Sequence, residues 1–311
     1  METNIFITGA TGCIGHYALM ELRDTFPTAH LHIQVRDITR FKMDIKDWNN
    51  ITFYDGGMDD IKRCKDCLKT VDYVVHIATV WGYDLDVNLR INRDRTLEMF
   101  NYCDPERLKK IIYFSTASIL TKGNELSPAA KTEGSPYVKS KLEAYKAIKD
   151  SKWADKVITL FPTMVLGGSD TAPYSHISQG LLDIRRHLKW AKWLHLNGAF
   201  HFLHAEDIAK MISISMTQDV PNDMVIGNPN ISFNDAILEI SEYIGEKPWI
   251  QLNIPQWLIN VLILIFKRRV DSWGAHCAKN PHFTYDVHAP YHFGEELSYS
   301  SLKAVLNKMN A

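Results

Sequence analysis

The chain has 311 residues, of which 46% are apolar and 23% charged, a composition typical of a globular protein with one large domain or two closely joined ones. Its 35 basic and 36 acidic residues nearly cancel, which argues against nucleic acid as the main partner because such binding relies on many cations facing phosphates. The start of the chain lacks the basic and apolar regions of a signal peptide. The five cysteines, an odd number, then indicate reduced thiols and a cytoplasmic location.

Alternating apolar runs and amphipathic segments fill the first half of the chain. The expected strands are 4–8, 30–35, 51–54, 73–77, 110–115 and 157–160, and the expected helices are 14–25, 59–69, 92–102 and 137–149. Strands alternating with helices of this length predict a parallel sheet with right-handed crossovers. Continuous apolar runs such as YVVHI are typical of a sheet that is covered on both faces.

After about Leu166 this rhythm changes. We expect short strands at 201–204 and 224–226, with a helix at 206–216 between them. Further helices are expected from 232 to about 245, near 256–267 and from Ser300 onward. The chain is therefore predicted to divide into an α/β domain, formed by 1–166 with about 201–228, and a smaller, mostly helical region, formed by about 167–200 and 229–311.

Neither a metal site nor a membrane span is expected. Cys64 and Cys67 form a CxxC pair, but no second pair or nearby histidine pair completes a zinc set. The longest apolar stretch, 257–266, is far shorter than the roughly 20 residues that span a bilayer. We expect a helix that docks on the protein there, with shallow membrane contact through the basic residues 267–269 as the alternative.

Three glycines follow the first expected strand and precede the first expected helix. Gly9, Gly12 and Gly15 have the spacing that lets a chain turn tightly and bring its backbone N–H groups against a pyrophosphate. The positive end of the following helix dipole points at the same charge. The sequence therefore predicts a doubly wound parallel sheet, the Rossmann fold, with a dinucleotide held by Thr8, Gly9, Thr11, Gly12, Cys13, Ile14 and Gly15.

The end of the second strand indicates which dinucleotide is used. Arg36 stands where a guanidinium can stack on adenine and pair with a 2′-phosphate. An acidic residue at that place would accept a hydrogen bond from a free 2′-hydroxyl instead, and Asp37 lies one position later. We therefore favour NADP(H) and keep NAD(H) as the alternative.

Tyr137 and Lys141 lie four residues apart at the start of an expected helix, so their side chains share one face. A free tyrosine titrates near pH 10, and a neighbouring ammonium lowers that pKa towards the range of a proton relay. The strand upstream ends in the hydroxyls of Ser115, Thr116 and Ser118, which in a doubly wound sheet face the cofactor cleft. The three elements in this order predict proton transfer to or from a substrate oxygen.

These motifs together resemble the extended short-chain dehydrogenase/reductase family over nearly the whole chain. VDYVVHIAT (71–79) is similar to its cofactor-side strand, and FLHAEDIAKMI (202–212) to its returning strand and helix. The resemblance implies that Tyr137 is the acid/base, Lys141 its partner and ribose contact, and Thr116 the substrate-positioning hydroxyl. It further implies a homodimer and cofactor contacts from Ala78, Thr79, Asn92, Ser115 and Pro162.

Within that family, three features resemble reductases of the dihydroflavonol-reductase and 3β-hydroxysteroid-dehydrogenase type. They are VRD at 35–37, FPTMVLGG at 161–168 and the tail that begins IPQWL at 254. The chain departs from the family pattern at three places. Leu120-Thr121 replaces the usual Tyr-Gly, Gly57 replaces the acidic residue expected to touch adenine, and Phe161 replaces a common arginine.

Three functions are open at this stage. The first is an NADP(H)-dependent oxidoreductase for a small, largely apolar or aromatic carbonyl or alcohol, with Trp81, Tyr83, Ser118 and Thr163 facing the substrate. The second is a sugar-nucleotide epimerase or dehydratase with tightly bound NAD(P), which would use Arg185, Arg186 and Lys189 for a substrate diphosphate. The third is a non-enzymatic NADP-sensing or scaffold protein, which loss of the Tyr/Lys pair would have indicated.

Overall fold

A computed structural model describes residues 3–45, 48–181, 194–195, 197–245, 252–253 and 271–309. The strands are β1 (Asn4–Thr8), β2 (His30–Val35), β3 (Ile51–Asp55), β4 (Tyr73–His76), β5 (Lys110–Phe114), β6 (Val157–Pro162), β7 (Met164–Leu166), β8 (Leu194–His195), β9 (Ala199–Phe200), β10 (Phe202–His204), β11 (Asp223–Ile226), β12 (Ile231–Ser232), β13 (Leu252–Asn253) and β14 (His282–Phe283). The α-helices are α1 (Cys13–Thr25), α2 (Lys65–Leu68), α3 (Leu85–Leu89), α4 (Thr96–Tyr102), α5 (Pro128–Thr132), α6 (Pro136–Lys149), α7 (Ala205–Thr217), α8 (Phe233–Ile244), α9 (Ser272–Lys279) and α10 (Leu302–Met309).

Seven parallel strands form the central sheet in the order β11-β6-β5-β4-β1-β2-β3. In β1, Ile7 pairs with Ile33 of β2 on one side and with Val75 of β4 on the other. The strand order reverses between β1 and β4, and a crevice for a ligand opens at the carboxyl ends of strands at such a point. The predicted doubly wound α/β fold is confirmed.

Alternate residues of the central strands feed two separate hydrophobic cores. In β1, Ile5 and Ile7 join the core that packs beneath α1 and α7, whereas Phe6 points to the opposite core beneath α4 and α6. All three side chains have no exposed surface. A strand buried on both faces has no polar side to alternate with, which explains the continuous apolar runs in the sequence.

The structure differs from the sequence-based elements at several helices. The segment expected to be helical at 59–69 is a 3₁₀ turn over Met58–Cys64 followed by the single turn of α2. A π-helical segment, Arg90–Arg95, precedes α4. The helices α3, α5 and α9 are short and lack a long apolar period, and the sequence did not predict them. The apolar segment 256–267 lies outside the described residues.

The C-terminal part contains short strands as well as helices. β9 pairs with β12 and β14, and β8 pairs with β13. Trp273 of α9 and Tyr285 pack against the cluster of buried residues that also contacts Tyr137. The C-terminal region therefore closes over the same end of the sheet at which the predicted proton-transfer residues lie. In the part of the chain that is described, no helix is long and apolar enough to cross a membrane.

Candidate functional site

The glycine turn between β1 and α1 is tightly packed on one side and open on the other. Gly9 has φ +76°, and a Cβ on it would lie 2.6 Å from the backbone nitrogen of Ala78, so only glycine fits there. A Cβ on Gly12 would meet one atom within 4 Å, the carbonyl oxygen of Gly9 at 3.4 Å. Helix α1 starts at Cys13 without a side-chain cap. The free first-turn N–H groups and the open side at Gly12 fit a pyrophosphate.

A buried hydrogen-bond chain joins this turn to the next strand. The Thr8 hydroxyl donates to Nδ1 of His76 at 2.7 Å and accepts from the Ala78 N–H at 3.2 Å. On the other side of the ring, Nε2 of His76 donates to the Thr96 hydroxyl at 2.9 Å, which itself donates to a backbone carbonyl. Burial, assisted by the charge of Lys141, lowers the pKa of His76 to about 3. A neutral imidazole in one tautomer therefore fixes β1, β4 and α4 together.

Asn92 sits in the π-helical segment and uses its whole amide to hold the loop after β4. Its Oδ1 accepts from the Thr79 hydroxyl at 3.0 Å and from the Val80 N–H at 2.9 Å. Its Nδ2 donates to the Val80 carbonyl at 3.1 Å and to the Ser140 hydroxyl at 2.9 Å. The Ser140 hydroxyl in turn donates to the Tyr137 carbonyl at 2.8 Å. Asn92 thus ties the loop after β4 to the first turns of α6.

The two candidate residues after β2 have different surroundings. The Asp37 carboxylate caps the short 3₁₀ turn Ile38–Arg40, accepting from the Thr39 N–H at 2.9 Å and from its hydroxyl at 2.6 Å. These hydrogen bonds lower the pKa of Asp37. Arg36 is exposed, and its aliphatic stem runs beside Gly57. It forms no ion pair with any of the described residues.

Tyr137, Lys141 and Thr116 are brought together at the carboxyl end of β5. Ser135 caps α6 by accepting from a backbone N–H, and Pro136 provides a first residue that needs no hydrogen bond. Tyr137 therefore lies in the first turn and Lys141 one turn later. The Lys141 ammonium donates to the Phe114 carbonyl at 2.8 Å, at the end of β5. Thr116 follows the end of β5 by two residues and lies close enough to Tyr137 to lower the pKa of its phenol.

The structure corrects the expected pKa of Tyr137. Burial raises the pKa of Tyr137 above its ordinary value, while the neighbouring Thr116 hydroxyl lowers it by less. Burial lowers the pKa of Lys141 to about 7. Lys141 also lies 5.1 Å from the ring centre of the buried Tyr113. The phenol is therefore protonated at neutral pH, and the lysine is close to its titration point.

Three aromatic rings lie in a row at the mouth of this site. Trp81, in the loop after β4, is stacked on Tyr137 with ring centroids 4.3 Å apart and planes 22° apart. His176 also contacts the indole, with ring centroids 5.3 Å apart. Trp81 is 59% exposed, and Ile177 beside His176 is also exposed. Tyr83, by contrast, is fully exposed and has no ring contact within the described chain.

Three further predicted site residues, Ser115, Ser118 and Thr163, lie at or just after the ends of β5 and β6 and differ in their hydrogen-bond partners. The Ser115 hydroxyl is buried without a partner among the described residues. The Ser118 N–H donates to the Thr116 hydroxyl at 3.3 Å. The Thr163 hydroxyl donates to the Ile226 carbonyl at 3.0 Å, so its proton is already used.

The remaining sequence-based expectations concern a proline, three basic residues and the CxxC pair. Pro162 is the buried last residue of β6. The basic residues Arg185, Arg186 and Lys189 lie outside the described residues. The CxxC pair forms no cluster with other ligands, and no group of side chains suited to a metal ion is found in the described ranges.

One residue and one contact of this site could not be predicted from the sequence. His176 is one of 13 histidines, and nothing in its neighbourhood distinguishes it until the fold places it on Trp81. The contact of Lys141 with the Phe114 carbonyl was also missed, because it joins α6 to a strand that precedes it by many residues. The hydroxyl-rich end of β5 was the sequence signal that could have indicated this contact between Lys141 and the end of that strand.

The fold and this edge of the sheet define a dinucleotide-binding α/β protein. The family model for the NAD dependent epimerase/dehydratase family matches residues 5–227. The chain therefore belongs to that family, whose members are NAD(P)-dependent enzymes of the extended short-chain dehydrogenase/reductase group. No curated protein sequence matches the chain.

Solved structures resemble the chain over almost its full length. The crystal structure of gox2253 has a TM-score of 0.71 and 21% identity, covering 98% of this chain and 95% of that one. The dTDP-glucose 4,6-dehydratase of Bacillus anthracis, solved with NAD, has a TM-score of 0.67 and 16% identity, covering 98% and 95%. The UDP-N-acetylglucosamine 4-epimerase of Methanobrevibacter ruminantium, solved with UDP-N-acetylmuramic acid, has a TM-score of 0.67 and 17% identity, covering 99% of both chains. At these identities the likeness concerns the fold.

Proposed function

We propose that the protein is an NADP(H)-dependent oxidoreductase that interconverts a carbonyl and an alcohol on a small, largely apolar or aromatic substrate. The observation that carries the proposal is the hydrogen bond from the buried Lys141 ammonium to the Phe114 carbonyl at 2.8 Å, which sets the helix face that bears Tyr137 against the end of β5, two residues before Thr116. In this proposal residues 1–166 with about 201–228 hold the cofactor, and about 167–200 with 229–311 hold the substrate.

The protonation of Tyr137 supports an acid that acts on a carbonyl oxygen. Because burial raises its pKa, Tyr137 holds a proton at neutral pH and donates it to the substrate oxygen during reduction. Thr116 keeps that oxygen beside the phenol by hydrogen bonding. Reduction leaves Tyr137 as a phenolate, and in the reverse direction that phenolate takes back the proton of the substrate hydroxyl. The nicotinamide cofactor, when bound, supplies or accepts the hydride.

The residues along the crevice fit a dinucleotide. The open side at Gly12 and the uncapped start of α1 suit the pyrophosphate. One hydrogen of the Lys141 ammonium is used by the Phe114 carbonyl, which leaves two donors that we assign to ribose hydroxyls. The buried and unpartnered Ser115 hydroxyl supplies a further polar group at the same strand end.

The choice of NADP(H) is supported by the two residues after β2. Both hydrogen bonds from Thr39 end on Oδ1 of Asp37, which turns that carboxylate towards the 3₁₀ turn Ile38–Arg40. Arg36 is exposed and has no ion pair within the described residues. A guanidinium with no carboxylate partner is suited to a phosphate.

The rings at the mouth of the site support an apolar or aromatic substrate. Trp81 and His176 form a wall beside Tyr137. Aromatic faces stack on flat apolar groups more strongly than on hydrated sugars that keep their hydroxyls in water. A substrate whose carbonyl lies next to an aryl or similar planar group therefore fits this wall.

The decisive assay mixes the purified chain with NADPH or NADH and two sets of compounds. One set contains aryl ketones and aldehydes, and the other contains nucleoside-diphosphate sugars. We expect loss of NADPH absorbance with the first set and no net change with the second. Conversion of a sugar nucleotide without added cofactor would contradict the proposal.

A second candidate, a sugar-nucleotide epimerase or dehydratase, is favoured by one specific observation. Two of the solved structures quoted above are such enzymes by name. That function needs a cofactor that stays bound and returns the hydride to the same substrate. Release of NAD(P) from the freshly purified, heat-denatured chain in an amount equal to the protein would favour it.

A further inference from the structure

Gly57 has no conformational reason to be a glycine. Its φ and ψ are −91° and −171°, which lie in the extended region that every residue type adopts. It precedes the 3₁₀ turn Met58–Cys64 and lies two residues after the end of β3. The missing side chain must therefore be explained by what surrounds it.

The backbone of Gly57 is held on both sides. Its carbonyl accepts from the side-chain amide of the buried Gln34 at 2.8 Å, and its N–H donates to the Asp60 carboxylate at 3.1 Å. A larger residue at this place could not simply move outward, because that movement would break one of these hydrogen bonds. Whatever occupies the space beside Gly57 would have to yield instead.

Arg36 occupies that space. A Cβ built on Gly57 would lie 3.3 Å from Cδ and 3.4 Å from Cγ of Arg36, and no other atom of the described structure lies within 4 Å of it. Carbon atoms in contact prefer about 3.5–4.0 Å, so the stem of Arg36 lies over the place that a Cβ would take, and a side chain on residue 57 would have to displace it. The guanidinium beyond this stem is exposed at the end of β2 without a carboxylate partner in the described chain.

We propose that Gly57 is a positioning residue for Arg36, and that preference for a dinucleotide with a 2′-phosphate depends on the bare glycine as well as on the arginine. The inference rests on the proposed use of NADP(H). A free arginine side chain loses roughly 2 kcal/mol of rotamer entropy when it is ordered. A stem already packed on Gly57 has lost part of that freedom before the phosphate arrives, and preorganisation of this kind raises affinity.

The test measures binding rather than activity, by fluorescence titration of the full chain with NADPH and with NADH. Gly57→Val pushes the Arg36 stem away without adding charge, and Gly57→Ala does so by a smaller amount. We expect the valine to weaken NADPH binding about 10-fold or more and the alanine about 3-fold, where tenfold corresponds to about 1.4 kcal/mol. NADH binding should change by less than about 2-fold in both, which also shows that the variants are folded.

Two controls separate this inference from the proposed function. Gly123→Val is the matched control, because a Cβ on Gly123 meets no atom within 4 Å, and both affinities should stay as in the wild type. In an Arg36→Ala background, Gly57→Val should cause no further loss of NADPH affinity, because the two residues act through one contact.

Each outcome decides one of the two claims. If Arg36→Ala leaves the ratio of NADPH to NADH affinity unchanged, the proposed use of NADP(H) fails. If Arg36→Ala lowers that ratio but Gly57→Val does not, only the positioning role of Gly57 fails. Equal losses from Gly57→Val in the presence and absence of Arg36 would also overturn that role.

Discussion

The indole of Trp81 is stacked on the phenol ring of Tyr137, with ring centroids 4.3 Å apart and planes 22° apart. The two residues come from different segments, the loop after β4 and the first turn of α6. Asn92 hydrogen-bonds to both segments, through Val80 and Ser140. The buried amide of Asn92 therefore holds the segment of Trp81 and the segment of Tyr137 together through hydrogen bonds to their neighbours, Val80 and Ser140.

Removal of the indole should weaken the binding of an aromatic substrate more than it slows the chemistry. Stacking between aromatic rings contributes about 0.5–1.5 kcal/mol beyond area burial. We therefore expect Trp81→Ala to raise KM for an aryl ketone about 10-fold, with kcat changed by less than about 3-fold. Steady-state kinetics with an aryl ketone and with a small aliphatic aldehyde measure this.

The conservative variant Trp81→Phe keeps a ring on Tyr137 and should retain most of the affinity. The KM for the aliphatic aldehyde should be insensitive to both substitutions. Equal increases of KM for the two substrates would show that Trp81 has a structural role and no part in selecting an aromatic group.

Tyr137→Phe should keep the fold and the cofactor affinity while lowering turnover. The substitution removes one hydroxyl from a general acid whose contribution is typically about 10²-fold or more. We measure kcat by NADPH consumption and affinity by NADPH fluorescence. Tyr145→Phe on the same helix is the control, because its hydroxyl contacts Asp223 at 3.3 Å and not Thr116; unchanged turnover in Tyr137→Phe would contradict the mechanism.

Asn92→Ala should destabilise the protein and disturb catalysis together. The substitution leaves the backbone of Val80 and the hydroxyls of Thr79 and Ser140 without their partner. Thr79 is exposed and Val80 half-buried, so water replaces part of what is lost, and the buried Ser140 hydroxyl keeps its hydrogen bond to the Tyr137 carbonyl. We therefore expect a loss of about 1–3 kcal/mol in the free energy of unfolding, which urea denaturation measures. Asn101→Ala, which loses one hydrogen bond from Trp153, should cost about 1 kcal/mol and leave kcat unchanged; similar results for the two variants would show that Asn92 has no positioning role.

The buried Lys141 should make stability rise with pH above neutrality. Its pKa is lowered to about 7 in the folded chain, whereas an unfolded lysine titrates near 10.4. Between these values the unfolded state binds more protons, so the free energy of unfolding increases with pH. The gain is complete near pH 10 and amounts to at most about 5 kcal/mol, at 1.36 kcal/mol per pKa unit. Below pH 7 both states hold the proton, and the full cost of burying the charge remains.

Lys141→Met isolates this contribution, because methionine keeps the apolar stem without a titrating group. The difference in the free energy of unfolding between wild type and Lys141→Met should shift towards the wild type as the pH rises from 7 to 10. Other groups that titrate in this range cancel in the difference. A difference that does not change with pH would show that the ammonium is not buried as described.

Prediction from the sequence succeeded where the controlling interactions are local. β1 and β2 have the predicted bounds, because a run of apolar residues ended by a turn depends little on distant parts of the chain. The turn between β1 and α1 was equally predictable, because glycine is the residue type that readily adopts the positive φ found at Gly9. The 3₁₀ turn before α2 and the π-helical segment around Asn92 were missed. Their geometry follows from contacts with other elements rather than from the spacing of apolar residues.

The sequence alone determined, through helix periodicity, that Tyr137 and Lys141 share one helix face, and through the order of the strands that hydroxyls stand at the end of β5. Thr116 was chosen among those hydroxyls by the resemblance to the family. Only the tertiary structure decided what surrounds these groups. Burial raises the pKa of Tyr137. The fold also stacks Trp81 on the ring of Tyr137, and the turn after β3 brings Gly57 beside the side chain of Arg36. Desolvation and side-chain contact depend on which distant segments meet, and no local pattern in a sequence records that.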